Sequence, residues 1–204
     1  MMETIFQAER LALATVVLGL LIGGSALWLG LSEGSIALWG FGAACLLQVP
    51  PALSLRGRVR EGLGNSGLER ERVTLRVVSH FLRLLGMAMA MAAVSALLGE
   101  RGPQVNGFIV SLALLACGLV AGLWYTKLSL KEVHPTLALD AARTRSLVTL
   151  AGLLLAGILL GHWVLWADAS ASLAQALWLF VEANSLSKAT TYQVACGGCG
   201  GGCG

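Results

Sequence analysis

Residues Leu11–Leu31 read LALATVVLGLLIGGSALWLGL, a run without one formal charge. An α-helix needs about 20 such residues to cross roughly 30 Å of hydrocarbon. Three further runs have the same character: Gly34–Leu55, Gly102–Thr126 and Ser146–Ala167. A fifth, Val77–Gly99, is uncharged from Leu84 onward, and its first turns carry Arg76, His80 and Arg83, long enough to snorkel to headgroups. A sixth, Ala169–Ser187, contains Glu182. With 12% charged and 56% apolar residues, the composition excludes an ordinary soluble domain. The expected fold is all-α, an integral-membrane bundle of six transmembrane helices. The spans are about 11–31, 34–55, 77–99, 102–126, 146–167 and 169–187, in one membrane domain, 1–188, with a flexible Cys/Gly-rich cytoplasmic tail, 189–204.

Charge placement gives the orientation. Arg56, Arg58, Arg60, Arg70 and Arg72 fall between the second and third spans, and Lys127, Lys131, Arg143 and Arg145 between the fourth and fifth. The alternate gaps hold little cation: Glu33, then Glu100 beside Arg101, then Asp168. Because cytoplasmic loops carry the Lys/Arg excess, the protein is expected to be multi-pass in the cell inner membrane with both termini cytoplasmic. The net charge of +3 is then a topology signal, and nucleic acid is not an expected partner. The first span is read as a retained helix, too long for a signal peptide. The stretch Leu55–Arg72, rich in glycine, is read as a mobile linker.

Polar residues within the spans are few. Asp140 and Arg143 are three residues apart on one helical face, which predicts an ion pair near the inner interface. His80 and His162 lie near span ends and are read as interfacial side chains; Glu182 should face the bundle. Cys45 and Cys117 are read as small packing residues. Trp28, Trp39, Trp124, Tyr125, Trp163, Trp166 and Trp178 form the aromatic belts. Pairs of glycines four apart (Gly19 with Gly23, Gly30 with Gly34, Gly118 with Gly122) offer close helix approach. No nucleophile–base pair and no phosphate-binding loop is present, so an enzyme is not expected.

The last nine residues, CGGCGGGCG, place Cys196, Cys199 and Cys203 on a chain that glycine leaves free to turn. Three thiolates so spaced can wrap one soft ion, Zn²⁺ or Cu⁺, with His134, a second subunit or a partner supplying a fourth ligand. The opposing reading is an inert low-complexity tail. No other cofactor is implied.

Two further segments resemble the membrane domain of the cation diffusion facilitator family, the six-helix zinc, iron and manganese efflux transporters. Ser32-Glu33-Gly34-Ser35-Ile36-Ala37-Leu38 is similar to the start of that family's second helix, with an Arg-rich segment after Leu55. Pro135-Thr136-Leu137-Ala138-Leu139-Asp140-Ala141 is similar to the start of its fifth, and Asp168 falls where its sixth begins. The resemblance covers about Glu9–Lys188. It implies a metal site of four His/Asp side chains, a pair four residues apart on each of helices two and five, which puts each pair on one face. Here those positions hold Ala44 and Gln48, then Arg143 and Leu147, so the expected site is vacated. The resemblance also implies a cytoplasmic metal-sensing domain after the sixth span, which residues 189–204 are not expected to form.

Two functions follow as expectations. One is transport or handling of a divalent or soft metal cation, through a rearranged polar site drawn from Cys45, Gln48 and Asp140. The other is a non-transporting structural or regulatory membrane partner with a degenerate metal site and a metal- or thiol-sensing tail. The expected partners are the lipid bilayer, a metal ion, and a second copy or another membrane protein in a homodimer or hetero-oligomer.

Overall fold

The computed structural model describes residues 2–60, 68–99, 107–129, 135–161, 163–164 and 166–197. Seven helices account for nearly all of them, and no strand occurs among the described residues: α1 (Met2–Glu33), α2 (Ile36–Leu47), α3 (Val49–Arg60), α4 (Leu68–Leu98), α5 (Gly107–Leu128), α6 (Pro135–Leu160) and α7 (Ala167–Gly197).

The breaks between helices have local causes. Gly34, at φ 71°, takes the left-handed conformation that ends α1, and Ser35 then caps α2, its hydroxyl accepting from the Leu38 N–H at 3.3 Å. The α2/α3 break falls at Gln48, just before Pro50 and Pro51, which have no N–H for the preceding turn. By length and composition Ile36–Arg60 still qualifies as one apolar span.

Five helical segments are long and apolar enough to cross a membrane: Phe6–Glu33, Ile36–Arg60, Glu69–Leu98, Gly107–Leu128 and Leu137–Leu160. The protein is therefore an all-helical chain with the marks of a membrane protein. Helix α7 is equally long but less apolar, and it packs along α4 and α6. Its buried face carries Asp168, Ser172, Gln175 and Glu182, while Leu177 and Val181 are exposed.

Helix α2 lies at the centre, touching α1, α4, α6 and α7, and its buried residues run almost continuously from Ala37 to Cys45. Around it, α1 packs on α2, α4 on α7 and α5 on α6. Phe41, Leu38, Leu82, Met89, Leu150, Leu154 and Leu179 fill the main core. A smaller cluster, Ala8, Ala12, Leu55, Val59 and Leu137, joins α1, α3 and α6 at one end. The outer surface is apolar in the way lipid contact requires, with Leu21, Leu31, Met91, Leu98 and Phe108 exposed.

Several boundaries differ from the sequence reading. The fifth expected span, 146–167, is helical from Pro135 and stops at Leu160 rather than Ala167. The glycine linker is shorter than expected, since α3 reaches Arg60 and α4 starts at Leu68; its Gly62–Gly67 core lies outside the described residues. Helix α7 runs to Gly197, so the segment read as a flexible tail is helical over its first half. Cys196 stands on that helix, whereas Cys199 and Cys203 lie outside the described residues.

Candidate functional site: a buried polar core

Glycine decides how closely the helices approach. A methyl on Gly30 would overlap the backbone of Trp39, and one on Gly42 the backbone of Leu27; at Gly23 it would stand 3.0 Å from the Gly42 carbonyl oxygen. This seam holds α1 against α2. The other sequence pairs behave differently: Gly34 is a turn residue, and nothing comes within 4 Å of a methyl at Gly118 or Gly122.

Five ion pairs among the described residues gather at one end of the bundle. Glu9 on α1 accepts from Arg56 at 3.3 Å and from Arg60 at 2.7 Å, both on α3. Arg58 pairs with Glu71, joining α3 to α4 with both side chains buried, and Arg72 lies 3.5 Å from Glu69. Lys127 on α5 reaches Asp140 on α6 at 2.6 Å. The expected Asp140–Arg143 pair is therefore replaced: helical spacing brings Arg143 near, but the facing lysine makes the contact. Lys127 also donates to Thr144 Oγ1 at 2.9 Å, and the Thr144 hydroxyl donates to the Asp140 carbonyl at 3.0 Å.

One turn deeper, α6 and α7 share a second polar group. Glu182, only 8% exposed, accepts from the Ser146 hydroxyl and from Gln48 Nε2 at 3.4 Å. Trp178, one turn from Glu182, donates its indole N–H to Ser146 Oγ at 2.7 Å. Trp178 is thus part of this network rather than of the aromatic belt. Arg143 is buried with its Nε and Nη2 unpartnered, and it stands within electrostatic reach of Asp140, Glu182 and Glu71. Arg143, Ser146, Trp178 and Glu182 line a cleft of about 150 Å³ between α6 and α7. Two cations, Lys127 and Arg143, thereby face two carboxylates, Asp140 and Glu182, within the helices.

Of the four positions at which the resemblance places metal ligands, two come together. Ala44, Gln48, Arg143 and Leu147 are all buried. Gln48 and Leu147 meet across a cavity of about 20 Å³, lined also by Thr15, Gly19 and Cys45, which is room for about one water. Cys45 and Gln48 share this cavity; Asp140 does not line it and pairs with Lys127. Among the described residues no three His, Cys, Asp or Glu side chains are placed to hold a metal ion. No protein-family model matches the chain, and no curated protein is significantly similar to it.

At the far end Asp168, read from sequence as a lone loop acid, is buried. It accepts from the Ser35 hydroxyl at 2.6 Å and from the Ile36 N–H at 2.9 Å, so the start of α7 caps the start of α2. His80 is exposed; His134 and His162 lie outside the described residues. Arg83, expected to snorkel, donates to Asn184 Oδ1 at 3.0 Å, a tie from α4 to α7. Sequence reasoning missed Lys127, Ser146 and Gln175. The last buries its amide on α7 and donates to the Leu150 carbonyl at 3.0 Å. A lone polar residue inside or at the edge of an apolar run was the available signal for each.

Proposed function

We propose that the protein is a six-span membrane protein of cation-efflux-like architecture, engaged in divalent or soft metal handling without moving ions through a mid-membrane site. The arginine-rich segments and both termini face the cytoplasm of the inner membrane in this reading. The observation that carries it is Arg143. It brings a guanidinium within electrostatic reach of the buried Glu182, whose charge a bound divalent ion would otherwise have to balance, while Asp140 is already paired with Lys127. A fixed cation at that place repels a mobile one, because Coulomb attraction and repulsion are strong where water is scarce. Gln48 and Leu147, at the matching positions, add one weak neutral ligand and none. The membrane domain then acts as a rigid partner, for a second copy or another membrane protein, and the thiols of Cys196, Cys199 and Cys203 take Zn²⁺ or Cu⁺ at the cytoplasmic surface.

The test is uptake into proteoliposomes together with metal content of the purified protein. Wild type should give no Zn²⁺ or Mn²⁺ uptake above empty vesicles, and should hold Zn²⁺ or Cu⁺ that is lost in the triple Cys196→Ser, Cys199→Ser, Cys203→Ser variant. Saturable uptake by wild type overturns the non-transporting reading. Metal content unchanged in the triple variant overturns the role of the tail.

A further inference from the structure

A second polar recess lies outside this core. Pro50, Leu53, Ser54 and Gly57 recur at helical spacing along one face of α3, opposite Arg70 and Thr74, one turn apart on α4. Together with Arg58 they line a cleft of about 300 Å³, the lower end of the size range of small-ligand sites. It stays open because Gly57 has no side chain and nothing lies within 4 Å of where one would start. Pro50, at the α2/α3 break, is part of its lining.

The lining is ordered from polar to apolar. Ser54 and Thr74 bring their hydroxyls to 3.3 Å of each other, and the Thr74 hydroxyl also donates to the Arg70 carbonyl at 2.8 Å. The nearby acids are already engaged, Glu71 by Arg58 and Glu69 by Arg72. Arg70 is exposed and has no ion-pair partner among the described residues. The cleft therefore carries an uncompensated guanidinium with two hydroxyls beside it. Towards the apolar middle of the bundle, Leu53 on α3 and Val73, Val77 and Phe81 on α4 are exposed. A guanidinium and hydroxyls above an apolar strip match a phosphoryl headgroup above an acyl chain, since arginine pairs with phosphate in a two-pronged, charge-assisted way. Basic recesses between spans at the cytoplasmic face suit anionic headgroups.

We propose that the α3/α4 cleft binds a phosphoryl group, through Arg70, Ser54 and Thr74, at the membrane–water interface. The inference rests on the membrane reading of the chain but not on its role with metals.

The full chain is placed in nanodiscs of phosphatidylcholine doped with phosphatidylglycerol, and the lipid retained on ejection is read by native mass spectrometry. Wild type should retain phosphatidylglycerol above its bulk fraction. Arg70→Gln should lower that enrichment about fivefold, the effect of one interfacial cation. Gly57→Leu, which fills the cleft and leaves every charge in place, should abolish it. Both positions are exposed, so equal melting temperatures will show that the fold is kept. A second arm titrates inorganic phosphate against protein in pure phosphatidylcholine discs and follows ³¹P line width. Broadening that both substitutions remove, without lipid enrichment, assigns the cleft to a soluble phosphate. Equal lipid retention in all three proteins together with no phosphate broadening overturns the proposal. Failure of the chain to enter nanodiscs at all would instead count against the membrane reading.

Discussion

Lys127 shows how a side chain in an apolar helix is committed by its neighbour rather than by its own sequence. In the sequence it closes the run Gly102–Thr126 and reads as a flank that marks the cytoplasmic side; in the fold it is buried against Asp140 and Thr144. Asp140 itself was legible as an acid near the end of a span, but its partner was not, because spacing along one helix cannot reveal what the next helix presents. Removing one member of a buried pair leaves an uncompensated charge. Lys127→Met should therefore destabilise the protein by about 3–5 kcal/mol, and Lys127→Met with Asp140→Asn by clearly less than the sum of the two single changes. Unfolding in mixed micelles followed by tryptophan fluorescence measures both; strictly additive losses would show that the pair is not coupled. Asp168 makes the same point at the other end. Asp168→Ala strands the Ser35 hydroxyl and the Ile36 N–H, and should cost about 1–3 kcal/mol in the same unfolding measurement.

At the scale of the element, α7 explains why the sixth apolar segment was the hardest to read. Its buried face mixes Asp168, Ser172, Gln175 and Glu182 with Leu179 and Leu186, and its exposed face mixes Leu177 and Val181 with Asn184, Ser185 and Lys188. Its uncharged run, between Asp168 and Glu182, is shorter than a bilayer crossing needs. The five more uniform helices were legible from length and missing charge alone. The proline break within Ile36–Arg60 is visible in the sequence as Pro50-Pro51. Glycine spacing was a partial guide: it marked the α1/α2 seam at Gly19 and Gly23, missed Gly42, and also marked Gly118 and Gly122, which touch nothing. Substitution separates the two kinds. Gly42→Ala should cost about 1–3 kcal/mol by forcing α2 from α1, and Gly118→Ala should be neutral or stabilise by up to about 1 kcal/mol through helix propensity. Thermal denaturation in one detergent compares them, and a destabilised Gly118→Ala would reveal a contact that the described residues do not make.

For the molecule as a whole, the ion pairs gathered at one end and the exposed Trp28, Trp163 and Trp166 towards the other give the bundle two unlike poles. If the charged pole is cytoplasmic, a membrane-impermeant thiol reagent applied to intact spheroplasts should not label Ser129→Cys, near that pole, but should label Gly99→Cys, at the opposite end of α4. Labelling of the first without the second would invert the orientation. The alternation of cation-rich and cation-poor gaps made the poles readable in advance; the polar core was not, since it depends on which faces of α2, α6 and α7 meet. The clamp of Asp168 on the first turn of α2 also bears on how the protein is made. The opening helical hairpin leaves the ribosome long before the residue that completes its corner is synthesised. Until α7 arrives, the Ser35–Ile36 corner must borrow water or lipid headgroups as acceptors, and nascent chains halted short of Asp168 should be the ones that membrane quality-control proteases find first.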